Sequence, residues 1–169
     1  MKSILSLALV FLLATGLVSA QKTINPAFDD RLQELLSFNV PVITVDSAFT
    51  GIENYVLLDT REWDEYQTSH LPGAAFAGYQ KFNVQDWKDL DRNTPILVYC
   101  SVGYRSERAG AKLKAAGFKQ VYNLYGSIFE WVNMGYPITD TAGQPTKNLH
   151  TYNKRWSRWV ENETMSLTW

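Results

Sequence analysis

Short apolar runs alternate with amphipathic or polar stretches through most of the chain. Phe28, Leu32, Leu35, Leu36 and Val40 recur on one helical face. Before them stand Asn25-Pro26 and Asp29-Asp30, which supply a cap, a first-position proline and acids in the first turn. Pro41 ends this predicted helix, and Val42 to Val45 reads as a short strand. Tyr55 to Leu58 and Pro95 to Tyr99 are unbroken apolar runs, the pattern of strands buried on both faces. Arg61 to Thr68 is polar and compatible with a helix, Leu71-Pro72-Gly73 is a turn, and Ala74 to Ala77 is a short strand. Asp86 to Leu90 is a weak helical turn. Ser106 to Ala116 is a helix stopped by Gly117, Val121 to Leu124 a strand, and Ile128 to Met134 a last helix closed by Gly135 and Pro137. Strands alternating with helices in this way predict an α/β fold, a parallel β-sheet flanked by helices on both faces.

The two ends follow other patterns. Lys2 precedes an apolar run from Ile4 to Leu13, broken only by Ser6, and small residues follow up to Val18-Ser19-Ala20. This is the layout of a secretory signal peptide. It predicts cleavage after residue 20, export to the periplasm or the medium, and no stable membrane insertion afterwards. The alternative is a retained anchor. From Thr141 onward the composition shifts: Asn148 to Asn153 has no apolar periodicity, and Lys154, Arg155 and Arg158 are interleaved with Trp156 and Trp159 ahead of a terminal Trp169. These tryptophans are expected to fold back onto the domain; the alternative is an aromatic-basic surface for a membrane or partner. The predicted organisation is a signal peptide (1–20), a helix and strand packed on the domain (21–45), the domain itself (46–140) and a Trp-rich tail (141–169).

Composition narrows the function. Sixteen basic and 17 acidic residues give a net charge of −1, which argues against a dedicated nucleic-acid binder. A single cysteine excludes an intrachain disulfide and an all-cysteine zinc site. In an exported protein an unpaired thiol needs a reason. Cys100 stands directly after the clearest strand, followed by Ser101-Val102-Gly103-Tyr104-Arg105 and then a helix. The carboxyl end of a parallel strand and the amino end of the next helix frame a binding crevice. Backbone N–H groups curling round the sulfur would lower its pKa and make it nucleophilic. Gly103 permits a tight bend, and Arg105 could hold an anionic substrate. The competing reading is a buried, inert cysteine.

Leu57 to Tyr66 followed by His70-Leu71-Pro72-Gly73-Ala74 resembles the opening signature of the rhodanese homology domain family. Pro95 to Ser106 resembles its active-site strand and loop. Val121 to Gly126, Trp131 and Gly135-Tyr136-Pro137 resemble its closing segment. The likeness spans roughly Gly51 to Asp140. It implies a rhodanese-like fold and a sulfurtransferase whose Cys100 becomes a persulfide, held by the loop from Ser101 to Arg105. It also implies a site-adjacent role for Arg61, structural or electrostatic and counted among the substrate-binding residues, and mainly structural roles for Asp59 and Glu65. His70 is read as stabilising its turn. The implied partners are a small-molecule sulfur donor and a thiol or cyanide acceptor, with a protein acceptor as a further possibility and no cofactor or metal. Only four residues separate Cys100 from Arg105, which disfavours a phosphatase or arsenate reductase of the same fold. A non-enzymatic sulfur carrier or sensor stays open.

Overall fold

The computed structural model describes residues 23–169. The predicted signal peptide lies outside the described residues. Among those described, no helix is long and apolar enough to cross a membrane. In chain order the elements are α1 (Pro26–Leu35), β1 (Val42–Ile43), α2 (Val45–Thr50), β2 (Val56–Asp59), α3 (Trp63–Thr68), β3 (Ala75–Phe76), β4 (Ile96–Tyr99), α4 (Tyr104–Ala115), β5 (Val121–Leu124) and α5 (Ser127–Asn133). They are followed by β6 (Ile138–Thr139), β7 (Pro145–Thr146), β8 (Asn148–His150), α6 (Lys154–Ser157) and β9 (Ser166–Thr168).

Five strands form one parallel sheet in the order β1-β5-β4-β2-β3. Successive residues of the central strands point to opposite faces, so each strand feeds two cores. Leu57, Leu97, Tyr99 and Leu124 face Phe28 and Leu32 of α1, Val45 and Ala48 of α2, and Ile128, Phe129 and Trp131 of α5. Leu58, Ile96, Val98 and Val121 face Ala109 and Leu113 of α4, with Phe82 and Phe118. The α/β class with a helix-flanked parallel sheet is the one read from the sequence.

Two local expectations are corrected. The strand predicted over Val42 to Val45 stops at Ile43, and Val45 begins a helix. Thr44 caps that helix, its hydroxyl oxygen accepting from the Ser47 N–H. The stretch from Asn148, which shows no periodicity, contains β8, paired in parallel with β9. Backbone pairing over three residues leaves no side-chain period to read. Around this pair the tail returns to the domain. Trp159 stacks on Phe28 at 5.3 Å between ring centroids, and Arg31 sits 6.0 Å over the ring of Trp156. Trp169 is 58% exposed.

Candidate active site

Cys100 is buried at the carboxyl end of β4. The chain turns round its sulfur so closely that the Gly103 N–H donates to Sγ at 3.1 Å. Gly103 holds φ +108°, where a Cβ would be strained, and Leu36 and Asn123 stand about 3.5 Å from where that Cβ would be. Neighbouring elements fix the loop. Asn123 on β5 donates through Nδ2 to the Gly103 carbonyl at 3.0 Å and accepts from the Ser106 hydroxyl at 2.7 Å. The Cys100 N–H donates to Ser127 Oγ at 3.1 Å, and the N–H groups of Ile128 and Phe129 reach the Cys100 and Ser101 carbonyls.

Burial pushes the Cys100 thiol up. The charge of Arg105 and the N–H groups of Ser106, Val102 and Gly103 outweigh it, and the net position is below a thiol's ordinary value. The thiolate is the nucleophilic form, so this loop prepares Cys100 for attack. An adduct that carries negative charge on its outer atom would meet the same donors.

Arg105 stands in the first turn of α4 and forks onto Glu65 of α3, with Nη1 2.6 Å from Oε2 and Nη2 2.7 Å from Oε1. Nη2 also donates to Ser101 Oγ at 2.9 Å, and that hydroxyl donates to Glu65 Oε1. Burial pushes the Glu65 carboxyl up, but its bonds and attraction to Arg105 hold it below the usual carboxylate range. Glu65 thus belongs to the site as the counter-charge of Arg105. Nothing in the spacing of two residues forty positions apart signals this pair.

Of the roles expected of Arg61, substrate binding is corrected and the structural one fits: Arg61 is fully buried and does not line the cavity over Cys100. Its Nε lies 3.0 Å from both Asp59 oxygens, and Nη2 reaches Asp59 Oδ2 at 2.6 Å and the Ser69 carbonyl. It ties the end of β2 to the turn after α3. His70 closes the same turn, exchanging backbone bonds with Thr139 and stacking on Tyr66 at 4.0 Å.

The cavity over the thiol has a volume of about 350 Å³. The loop contributes Cys100, Ser101, Val102, Tyr104 and Arg105, while Gly103 stays behind it. The remaining walls come from Glu62, which falls within the Leu57 to Tyr66 signature, and from Leu35, Tyr79, Gln80, Tyr152 and Trp156, which lie outside every motif read from the sequence. For Tyr152 and Trp156 the only sequence signal was the aromatic enrichment of the tail.

The thiol thus sits in a tight loop between a parallel strand and a helix, ringed by N–H donors and Arg105. The rhodanese-like domain model matches residues 44–134, more than half of the chain, and the chain belongs to that family. A thiosulfate sulfurtransferase of Coxiella burnetii is 34% identical over 85 residues, covering 50% of this chain and 78% of its own. Thiosulfate sulfurtransferase 18 of Arabidopsis thaliana is 32% identical over 120 residues, covering 63% and 88%. The crystal structure of a rhodanese-related protein from Thermoplasma volcanium superimposes with a TM-score of 0.53 at 26% identity, covering 59% of this chain and 97% of that one. Other relatives are longer: the chain spans 27% of a tRNA uridine(34) hydroxylase of Buchnera aphidicola and 51% of a putative sulfur carrier protein of Bacillus subtilis.

Proposed function

We propose that the chain is an exported sulfurtransferase that moves a sulfane sulfur through a persulfide on Cys100. The Cys100 thiolate attacks the outer sulfur of a donor such as thiosulfate. The donor's S–S bond breaks, sulfite leaves with the electron pair, and Cys100 keeps the sulfur as a persulfide anion. A nucleophilic acceptor such as cyanide or a thiol then attacks that outer sulfur and releases the thiolate. No external oxidant or reductant is needed. The observation that carries this reading is the Gly103 N–H at 3.1 Å from Sγ, in a loop that lowers the thiol. Membership of a sulfur-transfer family supports it, and the leader-like pattern of residues 1–20 supports export.

Mass spectrometry of the intact protein after thiosulfate treatment is the test. The expected result is one added sulfur, on the peptide containing Cys100 and absent in Cys100→Ser, which also forms no thiocyanate from cyanide. The same spectrum of protein recovered from its host reads whether residues 1–20 are lost. Thiocyanate formation by Cys100→Ser would overturn the assignment. Sulfur that loads on Cys100 but turns over to no acceptor would make the chain a carrier.

A further inference from the structure

We propose that the C-terminal tail sets the donor specificity of this site: Tyr152 and Trp156 form an aromatic wall that selects singly charged sulfur donors carrying an apolar organic body. The inference rests on the sulfur-transfer reading and names its substrate class. Three observations carry it.

The first is size. A cavity of about 350 Å³ falls within the range of roughly 300–1,000 Å³ typical of organic-ligand sites. A small inorganic anion would leave most of it unfilled.

The second is charge. Among the lining residues Arg105 is the one cation, and both its terminal nitrogens are committed to Glu65. Glu62 puts a carboxylate in the wall itself. A doubly negative donor would have to displace Glu65 or enter a field with no net positive charge. A singly charged donor with an apolar body faces less repulsion and finds Leu35, Val102, Tyr104, Trp156 and Tyr152 to pack against.

The third is that the tail residues are held in place. Tyr152 adopts φ +67°, uncommon for a residue with a side chain, and its ring stands 5.2 Å from the guanidinium carbon of Arg105. Its N–H donates to His150 Nδ1 at the end of β8. Asn153 caps α6 by accepting from the N–H groups of Arg155 and Trp156. Both aromatic residues lie beyond the family match at residues 44–134, so this wall is an addition to the shared domain.

The donor's leaving group holds the apolar body. In a thiosulfonate, the Cys100 thiolate attacks the terminal sulfur, the S–S bond breaks, and a sulfinate leaves with the electron pair while Cys100 retains the persulfide anion. Charge and atoms balance with no co-reactant.

Benzenethiosulfonate and methanethiosulfonate share charge and reactive group and differ in the body alone. The test measures kcat/KM of the full chain with each, and with thiosulfate, using cyanide as acceptor. The expected benzene-over-methane preference is roughly tenfold or more, the scale on which a pocket reads apolar bulk. Tyr152→Ala/Trp156→Ala should collapse that ratio to near unity, and Trp156→Phe should keep most of it. A ratio within one variant is unaffected by the fraction of protein that folds. Equal rates for the two thiosulfonates in the unaltered chain, or a preference that survives the double substitution, would overturn the inference while thiosulfate turnover upheld the sulfur-transfer reading. Failure of all three donors to sulfurate Cys100 would overturn both.

Discussion

Replacing Asp59 with alanine strips a fully buried guanidinium of its partner. Both side chains of the Asp59–Arg61 pair are inaccessible to solvent, and Arg61 has no water to turn to. Removing one member of such a pair costs about 3–5 kcal/mol, because the remaining charge stays buried. In a chain of this size each kcal/mol lowers the melting temperature by roughly 2–4 °C, so Asp59→Ala should melt roughly 6–20 °C lower. The double variant Asp59→Leu/Arg61→Met removes both charges and fills the space with apolar groups. It should recover most of that loss, short of about 1 kcal/mol for the bond to the Ser69 carbonyl. Urea unfolding of Asp59→Leu, Arg61→Met and the double variant Asp59→Leu/Arg61→Met, read as a double-mutant cycle, measures the coupling. A loss below about 1 kcal/mol in Asp59→Ala would refute the buried-pair account. So would an Arg61→Met protein of unaltered stability that binds donor poorly, since that result would return Arg61 to the substrate.

Glu65→Gln removes the negative charge that faces Arg105, so the Cys100 thiol should titrate lower still. The pH midpoint of iodoacetamide alkylation measures this, and an upward or unmoved midpoint would contradict the charge arrangement. Because its folded-state pKa is depressed, Glu65 contributes stability that is fully present above the ordinary carboxylate value and lost as pH falls through the lowered one. Glu65→Gln should therefore flatten that part of the acid-unfolding curve. Gly103→Ala forces a side chain into the left-handed region at φ +108°, at a cost of about 1–2 kcal/mol, and shifts the N–H that faces Sγ. Urea unfolding and alkylation rates at neutral pH should both register the change; unaltered stability would mean that the loop relaxes without strain.

The sheet and the reactive loop were legible because their causes are local. Pro95 to Tyr99 is apolar at every position except the proline start, and Gly103 marks the bend wherever the rest of the chain goes. The helix after the loop begins at Tyr104, two residues before the predicted Ser106, because Gly103 in the left-handed region already serves as its cap. What the sequence hid is long-range. Glu65 and Arg105 meet through the pairing of β2 with β4, and no spacing rule joins them. Arg61 carries a motif position that a likeness can match without revealing that its side chain turns inward to Asp59. The α2 helix is hidden because Val42, Ile43, Thr44 and Val45 are all β-branched, a composition that favours a strand, while Thr44 in fact caps a helix that starts at Val45. The strands of the tail are two or three residues long, too short for alternation to show.

The placement of β1 bears on the order in which the molecule comes together. Val42 pairs with Asn123, eighty-one residues away, and β1 has no other neighbour in the sheet. Closing so long a loop costs entropy before any contact repays it. The thiol's cradle closes shorter loops, since Asn123 and Ser127 reach it across twenty and twenty-seven residues. On loop-closure entropy alone the cradle is expected to assemble before β1 docks, and before Leu35, Tyr152 and Trp156 wall the cavity. A partly folded chain would then hold its nucleophile beneath an open roof.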